Sequence, residues 1–291
     1  MEAKLRLRKW QFIIAAALAL AALAAAITGC GGTTGDTGGM LQVKGSDTMV
    51  NLSQMWAEKY MEENPAAQIA VTGGGSGTGI SAMINGTADL ANSSRQMKDE
   101  EVAEASSKGV EVEEHRVGLD GIAVIVHPDN PVKELSMQQL SDIFTGKITD
   151  WSQVGGGPGA IVLLSRESNS GTHVFFKEHV MNDQEYSPQA LLMPSSQAIF
   201  EETRNNASAI GYVGLGYAQS GVKALGVSKD GSAAVAPSVE TVQSGTYPVS
   251  RPLYIYSKKD ASTQAVEFID WIKGEEGQAV LLELDFVPLK G

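Results

Sequence analysis

The stretch that most restricts the fold is Val71-Thr72-Gly73-Gly74-Gly75-Ser76-Gly77-Thr78-Gly79-Ile80. An apolar run, Ile69 to Val71, enters it and reads as a buried strand, and Ser81 to Ile84 leaves it as the start of a helix. Gly73 to Gly79, between them, holds five glycines, a serine and a threonine. Such a turn sets free backbone N–H groups and two hydroxyls at the positive end of a helix dipole, where an anion is the natural occupant. A plain flexible connection is the competing reading. The stretch fits neither the Walker pattern, nor G-x-G-x-x-G, nor the G-x-S-x-G nucleophile elbow.

From Leu41 onward, short apolar strands alternate with helical stretches, which predicts an α/β fold. Leu41 to Val43 is a strand that runs into Gly45-Ser46-Asp47-Thr48, and a helix follows from about Met49 to Glu63. Ala88 to Ala91 is a strand followed by Asn92-Ser93-Ser94-Arg95. Leu119 to His127 is a long apolar strand, and Leu135 to Phe144 is a helix with Ser136 as its cap. Ile161 to Ser165 is a strand followed by Arg166-Glu167-Ser168-Asn169-Ser170-Gly171-Thr172 and a helix from His173. Further strands are read at Ala209 to Gly214 and Tyr247 to Tyr256, and the last helices at Gln264 to Ile272 and Glu276 to Leu282. Four strand ends thus carry Ser or Thr, and two of them add arginine. Arginine's planar fork suits a tetrahedral oxyanion, and ligands of open α/β sheets bind beyond the carboxyl ends of strands. Taken singly, Ser-Asp-Thr also reads as an ordinary helix cap, and Arg166 as a loop arginine paired with a carboxylate.

Residues 1–30 read as a signal peptide: Lys4, Arg6, Arg8 and Lys9 form a basic start, and an alanine-rich run from Phe12 to Ile27 follows. Ile27-Thr28-Gly29-Cys30 resembles a bacterial lipobox, so Cys30, the single cysteine of the sequence, is the expected lipid attachment site. A membrane anchor helix is the alternative. Residues 31–40 read as a flexible tether. Loss of residues 1–29 would remove four basic groups and one acid and shift the formal charge from −12 to −15, which speaks against nucleic acid as a partner. An anion site in such a chain must rest on local donors rather than bulk charge. The four histidines, His115, His127, His173 and His179, make no metal-ligand spacing, and no nucleophile–base framework stands out, so no catalytic residue, metal or cofactor is expected.

Together, Gly45-Ser46-Asp47-Thr48, Gly73 to Gly79, Ala88 to Arg95 and Arg166 to Thr172, in that order, resemble the phosphate-binding proteins that feed bacterial ABC phosphate importers. The resemblance spans about residues 41–291. It implies a two-lobed α/β fold of the periplasmic-binding-protein type 2, with two crossing strands at Leu119 to Val126 and Arg251 to Tyr256 and the ligand in the cleft between the lobes. The first lobe would comprise 41–120 and 250–291, the second 121–249. It implies a monomeric receptor, not an enzyme, held by lipid on the outer face of the cytoplasmic membrane or in the periplasm. Its partners would be inorganic phosphate and the importer's permease subunits. The implied phosphate ligands are Ser46, Asp47, Thr48, Ser76, Thr78, Ser94, Arg95, Arg166, Ser170, Gly171 and Thr172. One departure stands out: Ser94-Arg95 occupies the place where well-known members have an aspartate that accepts the phosphate proton. Asp47 is the expected substitute for it. Alternatives are a binding protein for sulfate or molybdate, a secreted phosphatase, or a phosphate-sensing or adhesive surface protein.

Overall fold

Apolar strands separated by helical stretches form two α/β lobes that share one curled sheet in the computed structural model, which describes residues 39–289. The chain enters through β1 (Leu41–Gly45), α1 (Val50–Glu63), β2 (Ile69–Thr72), α2 (Ser76–Ile84), β3 (Leu90–Ser93) and α3 (Asp99–Ser107). It crosses along β4 (Val112–Val126) and builds the far side from β5 (Glu134–Ser136), α4 (Met137–Phe144), β6 (Val162–Arg166), α5 (Gly171–His179), β7 (Leu191–Met193), α6 (Ser196–Asn205), β8 (Ala209–Gly214), β9 (Lys223–Ala224), β10 (Gly226–Ser228) and α7 (Val239–Gln243). It returns through β11 (Ser250–Lys258) and closes with α8 (Thr263–Lys273) and α9 (Glu275–Glu283).

The strand order is β2-β1-β3-β11-β4-β8-β6-β7. β1, β2 and β3 are parallel, β6, β7 and β8 likewise, and β4 and β11 run antiparallel to their neighbours. β4 joins the two sides. Val112 to Gly121 pair with β11, skipping Val117 where the register shifts, and Ile122 to Val126 pair with β8. Val287 bridges to Leu119 beside this crossing, so the end of the chain braces it.

Two principal cores flank the crossing. One gathers Trp56, Leu253, Ile255, Phe268 and Leu281 from α1, β11, α8 and α9. The other gathers Val124, Phe144, Phe176 and Tyr212, with the rings of Phe176 and Tyr212 stacked at 4.1 Å between centroids. Ile122 to Val126 are fully buried, as a strand that reads as a continuous apolar run should be, whereas Ile69 to Val71, expected to be buried, are only half-buried because β2 is the edge strand of the sheet. No helix of the described residues is long and apolar enough to cross a membrane. The expected signal peptide, Cys30 and most of the tether lie outside the described residues.

Two boundaries differ most from expectation. β4 begins at Val112, seven residues before the apolar run that marked it, because its polar first half is held by pairing with β11 rather than by burial. The helix after the glycine turn begins at Ser76, not Ser81. Gly74 and Gly75, at φ 117° and 90°, make the whole turn, so Ser76 opens the helix.

Candidate functional site

Four strand-to-helix turns deliver short polar side chains to the junction of the lobes. After β1, Ser46 is buried, its N–H bonds Asn92 O at 2.9 Å, and its hydroxyl donates to Ser94 Oγ at 3.0 Å. Ser76, in the first turn of α2, lies 3.4 Å from Ser94 Oγ and accepts from Ser94 N at 3.1 Å. Three serines from three separate turns of the first lobe thus form one buried chain of hydroxyls.

The second lobe meets this chain with the N-terminus of α5. Ser170 caps that helix by accepting from Thr172 N and His173 N. Gly171 presses directly on the serines: a Cβ there would stand 2.3 Å from Ser76 Oγ and 2.7 Å from Ser94 Oγ. Thr172 Oγ1 lies 2.9 Å from Thr48 Oγ1, one hydroxyl from each lobe. All these side chains are buried, so in the low-dielectric junction their dipoles act strongly on a charge.

Two ion pairs bracket the hydroxyls. Arg166, at the end of β6, donates from Nη2 to Asp47 Oδ2 at 2.5 Å across the lobes. Its other bonds go to Met193 O, Pro194 O and Ser196 Oγ. Asp47 Oδ1 accepts from Gly74 N at 3.0 Å, and its carbonyl accepts from Tyr217 Oη. The second pair is fully buried. Arg251 on β11 donates from Nε and Nη2 to Asp120 Oδ2 on β4, at 3.1 and 2.9 Å. Burial pushes the Asp120 carboxyl up and the neighbouring guanidinium opposes that push. Arg251 Nη2 also donates to Thr48 Oγ1 and Thr172 Oγ1, at 3.2 and 3.0 Å.

Of the residues singled out from sequence, Ser46, Asp47, Thr48, Ser76, Ser94, Arg166, Ser170, Gly171 and Thr172 therefore converge. Two do not bond the cluster. Thr78 Oγ1 accepts from Asn169 Nδ2 at 3.1 Å, because a helix starting at Ser76 turns Thr78 about 200° away from it. Arg95 is a two-pronged partner of Glu101, 2.7 Å at each oxygen, and also donates to Gln96 O. The acidic first turn of α3 supplies that local carboxylate. Sequence reasoning passed over Asp120 and Arg251. The available signal was a lone charge inside each of two apolar strands. It also passed over Asn169, which reaches across to Gly74 O, while its carbonyl accepts from Gly77 N.

Two α/β lobes meeting at a buried, donor-lined junction, with two strands running between them, define a type 2 solute-binding protein. A family model described as the PBP superfamily domain matches residues 31–276. The phosphate-binding protein PstS of Pseudomonas aeruginosa is 33% identical over 294 residues, covering 95% of this chain and 91% of that protein. The phosphate-binding protein PstS of Bacillus subtilis is 34% identical over 252 residues, covering 86% and 81%. Among solved structures, a Clostridium perfringens protein described as a phosphate ABC transporter substrate-binding protein, crystallised with bound phosphate, superposes with a TM-score of 0.79 at 33% identity, covering 87% of this chain and 100% of that one. An ABC-type phosphate transport receptor from Vibrio cholerae superposes with a TM-score of 0.69 at 29% identity, covering 86% and 100%. The chain belongs to the PBP superfamily and, within it, to the family of the PstS phosphate-binding proteins.

Proposed function

We propose that this protein captures inorganic phosphate between its lobes and delivers it to the permease of an ABC importer. The observation that carries the reading is the convergence of Ser46, Thr48, Ser76, Ser94 and Thr172 hydroxyls with the capped start of α5, in a family whose relatives are named for phosphate. Donors from both lobes address one place, so a tetrahedral anion there favours the closed arrangement by the difference in contacts. The lobes are taken as 41–120 with 250–291, and 121–249. Deleting the gene should abolish high-affinity phosphate uptake and restoring it should rescue uptake; undiminished uptake would refute the transport role.

Asp47 is the proposed acceptor of the ligand's proton. Each of its oxygens accepts one bond in the structure, which leaves lone pairs for another donor. Sulfate has no such proton at neutral pH and would oppose the carboxylate with bare oxygens. Asp47→Asn is expected to narrow the preference for phosphate over sulfate by roughly tenfold or more. An unchanged ratio of the two dissociation constants would remove Asp47 from this role.

Export and lipid attachment at Cys30 complete the proposal, placing the lobes on the outer face of the cytoplasmic membrane or in the periplasm. Cys30→Ser should move the protein from the membrane fraction to the soluble one; continued membrane retention would count against the lipid anchor.

A further inference from the structure

Arg251 uses its guanidinium unevenly. Nε and Nη2 together form one fork, and both point at Asp120 Oδ2. The remaining N–H of Nη2 addresses the oxygens of Thr48 and Thr172. Nη1 is buried and has no partner among the described residues, on a side chain that is fully buried. A guanidinium is planar, so its second fork, formed by Nη1 and Nη2, points in a single direction. One prong of that fork lies on the threonine pair, and the other stands beside it with nothing to donate to. An unsatisfied buried donor of this kind is costly unless a ligand answers it.

The threonines reinforce the point. Both hydroxyl oxygens accept from Arg251 Nη2, so their own protons are left to be donated. At 2.9 Å one can donate to the other, and the second must look elsewhere. Nη1–H and the threonine hydroxyls therefore form a corner made only of donors, with Thr48 from one lobe, Thr172 from the other and Arg251 from the returning strand.

We propose that Arg251 is a direct anion ligand, whose free Nη1 prong binds an unprotonated oxygen of the tetrahedral oxyanion also addressed by Thr48 and Thr172. This rests on the phosphate reading above and deepens it. Asp120 fixes the plane of the guanidinium and balances its charge, so the junction gains a donor without gaining net charge. The proton-bearing oxygen of the ligand must then face away from this corner, toward Asp47.

The test combines one structure and one binding measurement on the full chain in detergent. In crystals of the wild-type protein grown with inorganic phosphate, an anion oxygen should lie within about 3.2 Å of Arg251 Nη1. A bound phosphate with Nη1 beyond roughly 4 Å would overturn the proposal. Equilibrium dialysis with labelled phosphate should show Arg251→Lys, which keeps the charge but loses the second fork, binding roughly tenfold to a hundredfold more weakly than wild type. A folded Arg251→Lys protein with unchanged affinity would also overturn it. Should that variant melt early, the crystallographic contact decides alone. Wild-type protein that retains no phosphate would sink the underlying reading as well, which separates the two failures.

Discussion

Replacing Asp120 by alanine should lower the stability of the protein by about 3–5 kcal/mol, the usual cost of stripping one partner from a buried ion pair. In a chain of this size that is a fall in Tm on the order of 10 °C. Asp120 and Arg251 are both fully buried and meet 2.9 Å apart. Without the carboxylate, Arg251 would keep its charge in the interior with only the threonine hydroxyls to face. Asp120 Oδ1 also accepts from Leu215 N at 3.1 Å, so a second donor would be orphaned. The pair joins β4 to β11, the two strands that run between the lobes, so the loss falls on the element that governs their mutual motion. Thermal melting followed by circular dichroism reads the effect directly. A change in Tm of less than about 2 °C would mean that the pair carries little of the fold. Replacing both residues together by apolar ones of similar volume should recover much of the stability, because desolvation consumes most of what the pair gains.

Gly171→Ala should have the opposite profile, leaving the fold intact while binding is damaged. Gly171 opens α5, where alanine is the better helix former. Its added methyl would stand 2.3 Å from Ser76 Oγ, 2.7 Å from Ser94 Oγ and 3.0 Å from Ser76 Cβ. The hydroxyls can rotate, but Ser76 Cβ is fixed in the first turn of α2 and cannot yield. The lobes would be held apart at the point where their donors converge. Overpacking of this kind costs about 1–3 kcal/mol, and charged to closure it corresponds to roughly a tenfold to hundredfold loss of phosphate affinity. Unaltered affinity in the variant would show that α5 does not press on the serine turns when ligand is held.

The contrast between these residues explains what the sequence could and could not disclose. Ser46, Thr48, Ser76, Ser94, Arg166 and Thr172 were visible because each sits where an apolar strand stops, and strand ends are where such sheets place ligands. Asp120 and Arg251 were hidden by the same rule, since they lie within strands rather than after them. Their partnership spans 131 residues and no local pattern announces it. Thr78 stands apart because Gly74 and Gly75 complete the turn and the helix starts at Ser76, which a run of five glycines does not disclose. Arg95 stands apart from the hydroxyls because a carboxylate six residues on, Glu101, holds two prongs of its guanidinium, a local pairing that the strand-end pattern does not announce. The fold was more legible than the site. Alternation of strand and helix is a local property, whereas a binding site is set by which turns meet.

The most direct test of the central claim is calorimetric titration of the full chain in detergent with inorganic phosphate and, separately, with sulfate. The account predicts saturable binding of roughly one phosphate per chain at micromolar concentration or below, with sulfate at least about a hundredfold weaker. Absence of phosphate binding, or equal binding of both anions, would contradict it.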